Sequence, residues 1–331
     1  MKILLVTNMY PSKSRSYGGL FVKNQYEELL KWKNDTEQID YFHMPRIITS
    51  KFFSILKYVN AFVLFVPFLF KKYHIIHLHY VFPLFIPVML YKFFHRNVKV
   101  IFTWHGSDIN NFFDSTFSKW FYHKLCDKKI DLTIAVGDDL KEQIKEKLKQ
   151  EVNLVMCVGV NHNLFYYDPS IKKKYDFLFV GDFMGRKGIP QLVEAIRKIN
   201  HGSFTFCFCG LGELEQDIKS LSSKHVSIDL QRDLSQDELR YYYNASRFMI
   251  IPSNYEPFGL VASEALFCGT PTIVSPNGGL PSQIEHEKNG FILNEVSPKC
   301  IYDMLMKAAN IKNSDYAQLA EYAKKSNHEF R

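Results

Sequence analysis

Residues 254–271 read NYEPFGLVASEALFCGTP, with one glutamate on either side of a Pro-Phe-Gly turn. Glu256 stands just ahead of that turn. Glu264 lies inside a run of Leu260, Val261, Ala262, Ala265, Leu266, Phe267 and Cys268 that is apolar nearly all the way round, the pattern of a buried helix. Its end is marked by Gly269, which can take a left-handed C-terminal conformation, and by Pro271, which cannot continue a helix. A carboxylate on such a helix is costly unless something ionises with it or hydrogen-bonds to it, so Glu264 is expected to meet a partner, either protein or ligand.

Outward from this helix, strand-like and helix-like runs alternate along the whole chain, the signature of parallel α/β sheets. The first set of strands is expected at 2–7, 38–43, 74–79, 98–104, 132–136 and 152–158, and the second at 175–181, 203–210, 225–229, 248–252 and 270–275. Between the sets lies a polar stretch, 168–174, with Pro169 and three consecutive lysines, read as a linker. The predicted fold is therefore α/β, with two doubly wound Rossmann-like domains, 1–167 and 168–331, facing one another across a cleft at the carboxyl ends of their strands. A chain of 331 residues is long enough for two such domains. Ser235 and Glu238 have the spacing of a capping box at a helix start.

Composition narrows the class. With 47% apolar and 23% charged residues the chain reads as a soluble globular protein. Its six cysteines form no Cys-x-x-Cys pair and follow no signal peptide, which points to reduced thiols in the cytoplasm. Cys207 and Cys209 alternate within a strand and share a face, with no neighbouring ligand in sequence to complete a metal site. The net charge of +7 is uneven: residues 1–165 hold 22 lysines and arginines against 14 aspartates and glutamates. A basic first half suggests an anionic partner, nucleic acid or membrane. No recognition helix or aromatic platform motif supports nucleic acid. The segment 51–72, KFFSILKYVNAFVLFVPFLFKK, favours an anionic membrane surface. Too short to span a bilayer and flanked by lysines, it reads either as an interfacial helix or as a core helix with lysine ends.

Several strand ends deliver glycine or charge to the expected cleft. Gly18-Gly19 follows the first strand, His105-Gly106 the fourth, Arg186-Lys187-Gly188 the seventh and Gly210-Leu-Gly212-Glu213 the eighth. Cations at the mouth of a helix, as at Arg186 and Lys187, are disfavoured by its dipole unless an anion compensates.

Together these features resemble the retaining GT-B glycosyltransferases of the group 1, family 4 type. The two glutamates have the Glu-x7-Glu spacing, followed by Gly-Thr-Pro at 269–271, Gly-Gly-Leu-Pro at 278–281 and Asn289-Gly290. The resemblance runs from Met1 to about Asn310, with His105-Gly-Ser-Asp108 and Arg186-Lys187-Gly188 in the expected order. It implies that Glu264 binds the ribose hydroxyls of a nucleoside diphosphate sugar and that Glu256 contacts the donor sugar. It further implies that the amides of Phe258, Gly259 and Leu260 face the diphosphate, that Lys187 neutralises it beside Arg186, and that Gly210 and Gly212 lie against the base. His105 would contact the donor sugar and Gly19 would let its loop approach the phosphate. Glu256, Lys187 and His105 are the implied catalytic set, and the donor is a substrate rather than a cofactor, with uridine diphosphate favoured over guanosine diphosphate.

The implied reaction keeps the anomeric configuration, with the acceptor attacking the face that the leaving group vacates. The chain has no Asp-x-Asp triplet, so no metal is expected to hold the diphosphate. The family often has arginine where Asp182 stands and serine where Gly137 stands. Its members usually continue past the Arg331 position with a helix that crosses back, so the crossing is expected to be shortened here, or the chain to be part of a longer one. The expected activity is transfer of a sugar from a nucleotide donor to a glycan or polyprenyl-diphosphate-linked acceptor in surface polysaccharide synthesis, on the cytoplasmic side of a membrane. A nucleotide-sugar epimerase or hydrolase on the same fold, or a silent nucleotide-sugar-binding subunit, are the alternatives.

Overall fold

The computed structural model describes residues 1–11, 19–45, 54–157 and 159–325. Two compact units divide the chain, Met1–Cys157 and Val158–Arg331. Residues 159–167, assigned to the first domain from sequence, pack with the second: Val160 and Phe165 are buried among Tyr243, Ala265 and Leu266. The lysine-rich stretch read as a linker is itself docked there, because Lys173 Nζ donates to the Ser246 carbonyl at 2.7 Å and the Lys174 amide to Ala245 at 2.7 Å.

The first unit is a parallel sheet in the order β2-β1-β3-β4-β5-β6. Its strands are β1 (Lys2–Thr7), β2 (Gln38–His43), β3 (Ile75–His79), β4 (Lys99–Trp104), β5 (Leu132–Ala135) and β6 (Leu154–Val155). The intervening helices are α1 (Leu20–Trp32), α2 (Ser54–Leu69), α3 (Val81–Phe94), α4 (Ser107–Phe112), α5 (Thr116–Cys126) and α6 (Asp138–Leu148). The expected sixth strand, 152–158, shrinks to two residues. It lies at the sheet edge with only β5 to pair with, and the Asn153 side chain already accepts from the Thr133 amide at 2.8 Å.

The second unit is a parallel sheet in the order β12-β11-β10-β7-β8-β9. Its strands are β7 (Tyr175–Val180), β8 (Phe204–Cys209), β9 (Val226–Gln231), β10 (Ser246–Ile251), β11 (Thr272–Val274) and β12 (Gly290–Ile292). The helices are α7 (Ile189–Arg197), α8 (Glu215–Lys219), α9 (Gln236–Ala245), α10 (Leu260–Phe267), α11 (Pro298–Ala309) and α12 (Asn313–Lys325). Residues alternate between the two sheet faces, as a pleated strand requires. Phe206 and Phe208 enter one core, while Cys207 and Cys209 enter the other with their sulfurs 3.7 Å apart. The capping box at the start of α9 forms as expected, Glu238 accepting from the Ser235 amide at 2.7 Å. In each unit the strand order reverses at one place, between β1 and β3 in the first and between β7 and β10 in the second. In open α/β sheets, ligands bind outside the carboxyl ends of the strands at that reversal.

Candidate functional site

The loops that leave β7 and β10 flank the reversal in the second unit, and they carry Lys187 and Glu256. After β7 the chain makes a 3-10 turn at Gly185–Lys187, then enters α7 through Gly188. After β10 it runs through Ser253 and Glu256 to Gly259, the N-cap of α10. The Asn254 amide donates to the Arg186 carbonyl at 3.0 Å and stitches the two loops together. Across that seam Lys187 and Glu256 form an ion pair in which both side chains are largely shielded from solvent. Ser253 adds a longer contact to the same Glu256 oxygen at 3.4 Å.

The turn that carries Glu256 is held from three sides. Gly259 has φ +84°, so the chain can swing from the loop directly into α10 without a side-chain penalty. Gln283 donates to the Phe258 carbonyl and accepts from Ser263 Oγ at 2.6 Å. Gly278 has φ +67° and presses on the Glu256 carbonyl, where an added Cβ would collide with backbone. The Gly279 amide donates to that carbonyl at 2.8 Å. The Gly-Gly pair of the sequence motif is thus a clamp on the Glu256 turn. In the first turn of α10 the leading amides have no intrahelical acceptor, which makes that end a natural anion seat. Leu260 opens the helix, and Phe258, two residues before it, is buried.

Glu264 lies one turn into α10. Its Oε2 accepts a hydrogen bond from the hydroxyl of Tyr243 on α9 at 2.7 Å. Burial pushes the carboxyl up to about 7, and the Tyr243 bond opposes that rise. The partner demanded by the sequence is thus, on the protein side, a neutral hydroxyl rather than a lysine or arginine. The helix ends as expected, with Gly269 at φ +69° and Thr270 and Pro271 beyond it.

Arg186 and Asp182 pair at 3.1 Å. The acid that stands where the family often has arginine is thus the counter-ion of Arg186. Gly210 and Gly212 press against the carbonyls of Gly181 and Phe183, so close backbone approach within the unit accounts for both glycines. Among the described residues no group of three His, Cys, Asp or Glu side chains is placed to hold a metal ion.

In the first unit the reversal lies between β1 and β3. Gly19 caps α1 there with no room for a Cβ against the Met9 carbonyl, while Gly18 falls outside the described residues. Asn8 after β1 donates to the Phe82 carbonyl after β3 at 2.6 Å. His105, at the end of β4, is buried between Phe21 of α1 and a stacked Tyr80, with ring centroids 4.8 and 4.5 Å away. Its Nε2 lies 3.1 Å from Nδ1 of His79, and the His79 ring stands 4.1 Å from that of His77. Burial lowers all three imidazoles, His77 to about 4 and His105 to about 3, so the cluster is neutral at physiological pH. Asp108 accepts from the amides of Val81, His105 and Ile109 and fixes the loop on which His105 sits.

Two family models match successive parts of this chain. Glycosyltransferase Family 4 matches residues 25–164 and Glycosyl transferases group 1 matches residues 168–326. The chain belongs to the group 1, family 4 glycosyltransferases. An uncharacterised glycosyltransferase of Methanocaldococcus jannaschii is 31% identical over 239 residues, 71% of this chain and 65% of that protein. The chain spans between about a third and two thirds of the lengths of the first curated relatives it matches, 65%, 48% and 34%. Among solved structures, a sucrose-phosphate synthase from Thermosynechococcus elongatus superposes with a TM-score of 0.76 at 20% identity, covering 100% of this chain and 95% of that one. Anabaena HepE in complex with UDP superposes at 0.73 and 16%, covering 100% and 96%. At such identities the likeness is one of fold, and that fold is GT-B.

The sequence motifs mark His105, whereas His77, His79 and Tyr243 lie outside them. His77-Leu78-His79 alternates on a strand, which puts both rings on one face beside the strand that ends in His105, so the signal was present. Tyr243 left no such trace, since it is one of three consecutive tyrosines and meets Glu264 only through packing of α9 on α10.

Proposed function

We propose that the chain transfers a hexosyl group, with retention of anomeric configuration, from a nucleoside diphosphate sugar to a glycan or polyprenyl-diphosphate-linked acceptor. The acceptor class places the work in surface polysaccharide synthesis at the cytoplasmic face of a membrane. The single observation that carries the reading is Glu264, a carboxyl held on a shielded helix by a neutral hydroxyl. Such a group is suited to accept hydrogen bonds from a ribose diol. A uridine donor is favoured, which accords with the UDP complex of the structurally similar HepE.

In this reading charge separates as the bond between the anomeric carbon and the phosphate oxygen breaks. Lys187 and the first-turn amides of α10 stabilise the departing diphosphate, and Arg186 adds to the field. No metal is invoked for that task. Glu256 holds Lys187 in place through their ion pair and contacts the donor sugar. A phosphate oxygen accepts the proton of the acceptor hydroxyl as it attacks the vacated face. His105, neutral by virtue of its burial, offers the sugar a hydrogen bond without adding charge.

The test is a panel of nucleoside diphosphates and their sugars read by thermal shift and calorimetry, with Glu264→Ala alongside. A ligand at a hundred times its dissociation constant stabilises the fold by about 2.7 kcal/mol, a readable shift. Unchanged affinity of Glu264→Ala for every donor overturns the reading. Donor consumption without any acceptor identifies an epimerase or hydrolase instead.

A further inference from the structure

In the first unit β1 is followed by β2 on one side, whereas β3, β4 and β5 succeed one another on the other. With right-handed crossovers that order puts α1 on one face of the sheet and α2, α3, α5 and α6 together on the opposite face, where α6, with Asp138, Asp139, Glu142 and Glu146, lies at the far edge beyond α5. None of α2, α3 and α5 contains an aspartate or a glutamate. That face also exposes large apolar side chains in an ordered arrangement. Leu56, Val59, Val63 and Val66 on α2 and Phe70 just past its end recur at alternating intervals of three and four residues, a single stripe, and each is at least 44% exposed. Phe93 and Phe94 project at the end of α3, and Phe117 and Trp120 on α5.

The stripe is opposite the side of α2 that faces the core, where Ala61 and Phe65 are buried, so it is surplus to packing within the unit. Lysines lie on or next to these helices: Lys57 is 4.8 Å over the Tyr58 ring, Lys71, which also pairs with Asp40 at 3.5 Å, is 5.1 Å over Phe68, and Lys124 on α5 is 4.9 Å over Trp120. An amphipathic lysine of this kind covers apolar surface with its stem while its charge reaches outward. The acids nearest α5 in sequence are engaged, Asp114 with Lys147 at 3.1 Å and Asp127 with His123 at 2.9 Å. The unit has 22 lysines and arginines against 14 acids, so it is net positive as a whole. An apolar stripe with aromatic edges and a basic border fits the boundary between headgroups and acyl chains of an anionic bilayer. No described helix is long and apolar enough to cross a membrane, so the fit is to a surface.

We infer that the α2–α3–α5 face is a docking surface for an anionic lipid bilayer, with the α2 stripe and Trp120 inserted at the headgroup level. The inference rests on the proposed use of a lipid-linked acceptor, and it can fail separately from the donor reading. Burial of the face orients the unit with α1 turned away from the lipid.

Two tryptophans give the test its direction. Trp120 is half exposed on α5, and Trp32 is 84% exposed at the end of α1 on the other face. Single-tryptophan variants of the full chain, made in a Trp104→Phe background, are mixed with vesicles of phosphatidylcholine alone or with 30% phosphatidylglycerol. The expected result is binding to the anionic vesicles that weakens as salt is raised, with brominated lipid quenching Trp120 and sparing Trp32. The double variant Val63→Glu/Phe70→Glu should bind at least tenfold more weakly, while its thermal shift with UDP stays as in the parent. Equal quenching of both tryptophans, absence of vesicle binding, or undiminished binding by the double variant overturns the inference. So does a dimer that the double variant converts to monomer without any vesicle binding, which would assign the stripe to a second copy. Loss of the UDP shift in the parent chain strikes the donor reading and leaves the docking result to stand.

Discussion

The hydroxyl of Tyr243 points at Oε2 of Glu264 from 2.7 Å, and it is the hydrogen bond that opposes the upward pull of burial on that carboxyl. A tyrosine donates one proton and leaves the rest of the carboxylate's acceptor sites open, so the pair is fixed in direction yet able to take further donors. Tyr243→Phe removes the donor but keeps the ring. A hydrogen bond to a charged group contributes about 1.5–3 kcal/mol. Affinity for a nucleoside diphosphate should fall by roughly tenfold or more on that figure, and the pH at which binding is half-maximal should move upward. Calorimetry from pH 6 to 9 on both proteins checks this. An unchanged pH profile would show that the bond does not tune Glu264.

The same carboxyl gives a pH prediction for the parent chain. Its value in the folded protein, about 7, lies above the ordinary 4.5, so between those limits the folded chain holds a proton that the unfolded chain has released. Stability contributed by Glu264 is therefore full below about 4.5 and is lost as pH rises to 7. On the proposed reading, in which Glu264 accepts hydrogen bonds from the ribose, nucleotide binding uses the ionised form and should strengthen over pH 6–8, with uptake of a proton by the buffer. Comparing calorimetric enthalpies in buffers of different ionisation enthalpy measures that proton. No buffer dependence near pH 7 would contradict the assignment of Glu264 to the ribose.

For Lys187 the expected effect is on turnover. Removing one preorganised group that stabilises developing charge typically costs about 3–4 kcal/mol. Lys187→Ala should thus lower kcat by about two to three orders of magnitude, and it leaves Glu256 in a shielded site without its cation. Lys187→Arg, which keeps the charge, should recover part of the loss. Steady-state kinetics with a fixed donor and acceptor decide it, and equal kcat in parent and Lys187→Ala would remove Lys187 from the catalytic set.

Much of this was legible in the sequence, for identifiable reasons. β1 and β2 match their expected limits: in β1 the continuous apolar run Ile3–Val6 between Lys2 and Thr7 leaves little choice of boundary, and in β2 the apolar residues Ile39, Tyr41 and Phe42 lie between polar ends, Gln38 and His43. β12 went unread: it is three residues long, and Asn289-Gly290 at its start reads as a turn. The Glu-x7-Glu motif located Glu256 and Glu264, but not what touches them. Their partners, Lys187 and Tyr243, lie 69 and 21 residues away in sequence; the order of β7 and β10 in the sheet brings the first pair together and the packing of α9 on α10 the second. The second domain is expected from residue 168, where the polar stretch with Pro169 and three lysines begins. Val160 and Phe165 are apolar residues in a loop, and nothing local to them says which core they enter.

The Gly278 clamp predicts a coupled loss of stability and binding. At φ +67°, with the Glu256 carbonyl against its α-carbon, alanine there must displace the Glu256 turn. Backbone strain of this sort places Gly278→Ala at about 2–4 kcal/mol of destabilisation. Gly159→Ala is the matched control, since a Cβ there meets nothing within 4 Å. Chemical denaturation should separate the two variants, and nucleotide affinity should fall only in Gly278→Ala. Equal stability of the two would mean that the turn adapts without strain.

The histidine cluster, with His79 and His105 buried and His77 half-buried, should set the acid limit of the first unit. His77, His79 and His105 all titrate well below the ordinary 6.5, because burial penalises their charged forms. Unfolding exposes imidazoles that bind protons the folded state refuses. The contribution to stability is thus complete above about 6.5 and declines as pH falls toward 4. Urea unfolding should show a lower midpoint at pH 5 than at pH 7.5, and His79→Phe should reduce that difference by removing one of the three. Nitrogen chemical shifts of His105 should stay those of a neutral ring across pH 5–8. A His105 signal that titrates near 6.5 would mean that its ring is solvated, and the neutral hydrogen-bonding role assigned to it would fall with that result.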